Sequence, residues 1–361
     1  MWAKKLQDEE KINFCRKEIA ETYAKQADSC APDLSASHWM MKAVEAYKKV
    51  PGNRESKDEI YKRLREYQKF TVENMSQIKG PKTDISEIVA QSIKTVKGHS
   101  FDDALFHFCF GMISMPNFEE LKERAKDESN QSVLGQLFGA VHYDRQGLVV
   151  AEVPAMSGLA DTDDDKALWS SMLGSLEFIH SFSVQGSIEP ARREILLEHC
   201  ITESSFHQLL QNNPIIPDGH EVIFAKGLNF GFHGDFISAI HILIPQLENL
   251  LRNALKEHGV ETTTHNTQGI QENILLKAIL THDVFIQVFG QDLSLELHAV
   301  LLDRKYANLR NDVSHGLMPS NYFYTMPSVY LWWITLRLCL LPFYSQWNTA
   351  RQRNPPTNNR S

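Results

Sequence analysis

The chain has 361 residues, 42% of them apolar and 23% charged, with a formal net charge of −8. That balance excludes wholesale disorder and supplies enough apolar surface for two or three structural units. The charge excludes a surface coated in Lys and Arg; an RNA partner would have to meet a local basic groove, because phosphates need cations only where the strand lies. An ordinary acidic cytosolic protein with no nucleic-acid partner fits the same balance.

The N-terminal run Met1-Trp2-Ala3-Lys4-Lys5 leads into charged residues and does not read as a signal peptide, so a cytoplasmic location is expected. Residues 1–155 are expected to form an N-terminal helical domain. Ser35 and Ser37 are placed to cap a helix over 38–49 that Pro51-Gly52 ends. A longer helix is expected over 58–78, with Ile60, Leu64, Tyr67 and Thr71 on one stripe and Gly80-Pro81 as its stop. Helices over 86–96, 101–112 and 118–125 follow, without a fixed repeat period. Residues 140–143 and 148–153 flank Asp144-Arg145-Gln146-Gly147 and predict a small β-hairpin at the edge of the domain.

Residues 156–226 read as a helical connection. Asp161-Thr162-Asp163-Asp164-Asp165 resembles a calcium loop only superficially, since Lys166 stands at the sixth position and Met172 at the twelfth. The carboxylates suit the start of a helix over 166–180 instead. No cluster has metal-ligand spacing, and neither a metal nor another cofactor is expected. The five cysteines, Cys15, Cys30, Cys109, Cys200 and Cys339, form no Cys-x-x-Cys pair and are expected to be buried thiols in a reducing compartment.

Residues 227–361 carry the chemistry. A helix is expected over 235–257, with Phe236, Ile240, Leu243, Leu247, Leu250, Leu251 and Ala254 on a broad apolar face and Pro245 inside it. Glu248 and Arg252, four apart, are expected to pair. Further helices are expected over 271–280 and 293–302. The apolar run 329–344 is too short for a membrane span and holds Arg337 and Pro342, so it reads as a buried closing helix and no membrane partner is expected. The tail with Arg351, Arg353 and Arg360 reads as disordered.

Between those helices lies Asp303-Arg304-Lys305-Tyr306-Ala307-Asn308, then Leu309-Arg310-Asn311-Asp312-Val313-Ser314-His315-Gly316. Asn308 is a good cap for a short helix that Gly316 stops. Five helical steps put Arg310 and His315 about 140° apart, so they share a groove rather than a face. Arg304 and Lys305 join Asn308 as candidate substrate-binding groups. A purely structural reading stays open, with His315 favouring the negative end of its helix. Tyr322, Phe323, Tyr324, Trp332 and Trp333 can stack bases or pack a core, and core or dimer packing is the expectation.

Arg310-Asn311 followed by His315-Gly316 resembles the Arg-Asn-x-x-x-His-Gly subgroup of the HEPN superfamily, and 234–252 resembles that subgroup's first long helix. The resemblance covers 227–361. It implies a mainly α protein in which an N-terminal helical region with a small hairpin precedes a HEPN-like helical bundle. It also implies a homodimer whose paired motifs meet in a cleft and cut RNA without metal. Arg310 would stabilise phosphorane charge, His315 would protonate the leaving 5′ oxygen, and Asn311 would orient the phosphate or the imidazole. A toxin-like or antiviral effector is the implied setting, with the N-terminal helices available to an inhibitor or sensor. The alternative is a HEPN-like scaffold that only dimerises or binds RNA.

Overall fold

A computed structural model describes residues 9–31, 35–52, 54–74, 83–131, 140–143, 149–153 and 161–353. The described residues are mainly α-helical with two small antiparallel hairpins, and the chain divides into two compact units: 1–82 with 137–156, and 83–136 with 157–361. These units cut the chain differently from the three segments read in the sequence. The helices expected over 86–125 bury Val96, Phe108 and Leu121 with partners from the C-terminal half, a long-range choice that local periodicity does not encode.

In the first unit, small side chains let helices approach closely. α1 (Glu9–Cys30) buries Ala20, Ala24 and Ala27 in one core with Met40, Val44 and Tyr47 of α2 (Ser35–Lys48) and Ile60 of α3 (Arg54–Asn74). The third helix starts earlier than expected, and residues 75–82, with the anticipated Gly80-Pro81 stop, lie outside the described residues. Arg63 and Tyr67 both donate to Asp28 Oδ1, Tyr67 at 2.8 Å. Partial burial opposes the charge on Asp28, but the two donors hold its carboxyl below the usual range. The expected hairpin is present as β1 (Ala140–Tyr143) and β2 (Val149–Val153), paired from Ala140 opposite Val153; its turn lies outside the described residues.

The second unit begins with α4 (Ser86–Val96), α5 (Phe101–Phe106) running into a π-helical turn over His107–Gly111, and α6 (Phe118–Gln131). α7 (Asp161–Ser183) absorbs the acidic run at its N-terminal end and passes through a second π turn into α8 (Glu189–Glu198) and α9 (Glu203–Leu210). α10 (Glu221–Phe232) and α11 (Phe236–Glu257) are separated by a tight turn at Gly234, and Asp235 caps α11 by accepting from Ser238 N at 3.0 Å.

The segment expected as one helix over 271–280 divides in two. Gln271–Asn273 is strand β4, paired with β3 (Thr263–His265), and only α12 (Leu276–Leu280) is helical. Asn266 explains the difference: its Oδ1 accepts from Gln268 N and Ile270 N, closing a turn that brings two polar, mostly exposed strands together. α13 (Asp283–Leu302) is interrupted at Gly290, whose φ of 86° and ψ of 158° are open essentially to glycine alone. α14 (Leu309–Ser314), α15 (Met326–Leu340) and α16 (Tyr344–Arg353) complete the unit. Arg351 therefore lies on a helix, its guanidinium over the Trp347 ring, which corrects the expectation of a disordered tail there.

α15 is the hub of the core. Trp332 and Trp333 are fully buried, with their indole N–H groups donating to Leu228 O at 3.0 Å and Phe108 O at 3.1 Å. They are core residues, as expected, and are sealed away from any nucleic acid. Trp332 also accounts for Gly231, where an added Cβ would come within 2.2 Å of the indole. Arg337 is tolerated in this apolar helix because it donates to the carbonyls of Cys109 and Ile113 beside the first π turn and lies over the Phe110 and Trp333 rings. The stretch 326–351 is long and apolar enough to cross a membrane by composition, but 67% of its apolar window is buried inside the unit. Only Cys109 and Cys339 are buried, and burial pushes both thiols up; Cys15 and Cys200 are exposed, which corrects the expectation for the set.

Candidate functional site

α14 is a short helix pinned from both ends. Leu309 is its buried anchor. The preceding turn is built on Asp303, whose backbone oxygen accepts from Tyr306 N at 3.2 Å and Asn308 N at 3.1 Å. The Asp303 carboxylate accepts from Lys305 N at 2.8 Å and from the Trp169 indole at 2.7 Å. Asn308 then adopts φ 48° and ψ 30°, the left-handed region in which Asn is among the few tolerated residues. At the other end Gly316 takes φ 66°, its N–H donating to Val313 O, while Leu317 N donates to Asp312 O at 2.8 Å. His315 is the last residue before that reversal, as expected.

Asn308 occupies the cap position but does not cap with its side chain, which corrects that expectation. Its left-handed backbone redirects the carboxamide: Nδ2 donates to Asp312 Oδ1 at 2.8 Å, and Oδ1 accepts from Asn311 Nδ2 at 2.8 Å. Asn311 Oδ1 lies 3.5 Å from Arg310 Nη1. The motif is thus tied to itself through amides before it touches the rest of the protein.

The expected Glu248–Arg252 pair is present at 2.9 Å. Its significance grows because the second Glu248 oxygen lies 3.5 Å from Arg310 Nε. One carboxylate on α11 therefore joins both arginines and orients Arg310 from across the bundle. Glu248 retains 18% side-chain exposure and Arg310 34%, so screening keeps the energetic value of this contact at about 1 kcal/mol or less. Positioning is its main effect, since a guanidinium has five N–H donors and this contact uses one edge. His315 is exposed, and its ring has no side-chain partner among the described residues.

Arg304 is exposed and Lys305 half-buried. Burial, with nearby Lys166, lowers the Lys305 pKa against the opposing pull of Asp303. Lys166 was not legible as a neighbour, because it lies on α7 far away in sequence. Among the described residues, no three His, Cys, Asp or Glu side chains gather as a metal site. His233 and His241 each turn Nδ1 toward a backbone oxygen of their own helix segment, and His241 stacks on Phe323.

A second polar cluster sits behind the turn and was not anticipated. His180 Nε2 of α7 and Glu296 Oε2 of α13 are fully buried and 2.6 Å apart, without hydrogen-bond geometry between them. The Tyr306 hydroxyl lies 2.5 Å from His180 Nδ1, and Tyr330 stacks on the same imidazole with centroids 3.8 Å apart. Burial and then the Glu296 charge push both phenols upward. Tyr306 thereby anchors the turn that leads to Arg310. A glutamate inside an otherwise apolar stretch was the available signal. No protein-family model, curated protein or solved structure matches the chain.

Proposed function

We propose that the chain is a HEPN-type endoribonuclease that acts as a homodimer, with Arg310, Asn311 and His315 as its catalytic groups. The observation that carries this reading is the combination of an arginine oriented by Glu248 with an exposed histidine at the end of the same short helix. The substrate's 2′-OH gives up its proton to water and attacks the adjacent phosphorus, and the P–O5′ bond breaks. Arg310 stabilises charge on the non-bridging oxygens, Asn311 orients the phosphate, and His315 gives its proton to the departing 5′ oxygen. The products are a 2′,3′-cyclic phosphate and a 5′-hydroxyl, and no metal enters the scheme. Asn308, Arg304 and Lys305 flank the strand. A second copy would double the half-built groove about a two-fold axis, and Leu317, 54% exposed two residues beyond His315, supports contact there. A cytoplasmic effector role, toxin-like or antiviral, belongs to the same proposal.

One observation favours the alternative of a non-catalytic RNA-binding or dimerising scaffold: Glu248 already engages Arg310, as a purely structural arginine would require. Incubating the purified full chain with total RNA in EDTA separates the two. Cleavage that disappears in His315→Ala and Arg310→Ala supports the nuclease. RNA retained intact by all three proteins supports the scaffold. Fragments with 5′-phosphate ends sink the proposed chemistry.

A further inference from the structure

A cavity of about 440 Å³ opens in the second unit where α13 breaks. Its walls include Phe118 and Trp169 from α6 and α7, and Gln291, Ser294, Leu295 and His298 from α13. The last four stand at i, i+3, i+4 and i+7 and therefore share one helix face. The Gly290 interruption lets Ile286, before the break, line the same space. Backbone conformations of this kind persist where the surrounding structure demands them, often at ligand sites. The volume falls within the ~300–1,000 Å³ usual for small-molecule sites.

The chemistry of the walls narrows the occupant. None of these side chains is a permanent charge. His298 is half-buried, and its imidazole stands edge-on to the Trp169 indole with ring centroids 5.3 Å apart. Burial holds this imidazole below its ordinary pKa, helped by Lys277 and opposed by Asp303, so at neutral pH it offers one donor and one acceptor. Gln291, on the exposed rim, offers an amide of the kind that reads an adenine edge with two bonds. Trp169 and Phe118 supply the aromatic surface on which bases stack.

We propose that this cavity binds an uncharged purine base, with Gln291 and His298 reading its edge and Trp169 and Phe118 holding its faces. The inference goes beyond the ribonuclease reading and stands without it, because binding is measured without cleavage. The base can come from a free nucleoside or from an RNA strand. Isothermal titration of the full chain with adenosine, D-ribose and a 2′-O-methylated oligoadenylate distinguishes these sources. Saturable binding of adenosine at one site, with none for ribose, is expected. Gln291→Ala, at the exposed rim, should weaken it a few-fold, and His298→Phe by about tenfold, the loss expected for an unmade hydrogen bond in a partly buried site. Tighter binding of the oligoadenylate that falls in the same variants assigns the base to a strand. Gln291→Ala, at an exposed position, keeps the test valid if His298→Phe fails to fold. The proposal is overturned if neither adenosine nor the oligoadenylate binds at millimolar concentration, if ribose matches adenosine, or if binding survives both substitutions.

Discussion

Tyr306 and Arg310 lie four residues apart, yet they belong to opposite kinds of polar cluster. Tyr306 reaches inward to His180 and Glu296, both sealed from solvent. Arg310 reaches outward to Glu248 and Asn311 and stays one-third exposed. The inner cluster has no access to a substrate, so its polar atoms can only shape the fold. The outer cluster retains donors that the protein does not use. Similar residue types thus acquire different roles through solvent access, which motif spacing cannot report.

The inner cluster should show the largest stability effect. His180→Ala leaves the Glu296 carboxylate buried without its neighbour and opens space beside Tyr330, so a loss of about 3–5 kcal/mol is expected. Replacing both partners, as His180→Phe with Glu296→Leu, should cost less than the single change, because no stranded charge remains. Thermal and urea unfolding of the three proteins check this, and a double variant less stable than His180→Ala would break the account. Next comes Tyr306→Phe, which keeps the ring and removes the hydroxyl beside His180. A cost of about 1–3 kcal/mol is expected for the polar atom left behind. If the turn positions Arg310, RNA cleavage should fall in this variant without vanishing.

The contrast also explains what the sequence could and could not reveal. Helices with a single apolar face, such as α11, were legible because burial repeats along them with the helical period. The α14 reversal was legible too, because Gly316 directly follows a short polar helix. The β3–β4 hairpin was missed because its strands are too polar and exposed to show a period of two. Glu248 and Arg252 were recognised as a local pair, but the contact of Glu248 with Arg310 spans about sixty residues and is a product of packing. Glu296 stands out within its apolar stretch, but nothing in one dimension pairs it with His180, more than a hundred residues away. Cysteine burial was read from type alone, and type does not separate Cys339 on the core hub from exposed Cys200.

In the outer cluster, Glu248→Gln tests positioning against simple charge. The amide keeps the shape and can still accept from one arginine, but Arg252 is only 13% exposed and loses its charge partner, so a cost of about 1–3 kcal/mol is expected. If Glu248 orients Arg310 for chemistry, kcat should fall while the products keep their 2′,3′-cyclic ends. If the site only retains RNA, removing a negative charge should strengthen binding, and the gain should shrink as salt is raised. Filter binding and single-turnover cleavage on the same preparations read both quantities.

The smallest stability effect is expected where the functional effect is complete. His315 is exposed at the end of α14, its ring has no side-chain partner among the described residues, and its backbone N–H bonds to Asn311 O whatever side chain it carries. His315→Ala should therefore stay within about 0.5 kcal/mol of the parent, as surface substitutions away from special features do. Under the nuclease proposal the same change removes the proton donor for the 5′ oxygen, and cleavage should be lost. An unfolded variant would place His315 among the structural residues, beside His180. A stable variant that still cuts RNA would leave Arg310 and Glu248 as a packing device and remove the imidazole from the chemistry. A stable, inactive variant whose RNA affinity is unchanged is the expected result, because it separates the loss of a catalytic proton from the loss of a binding surface.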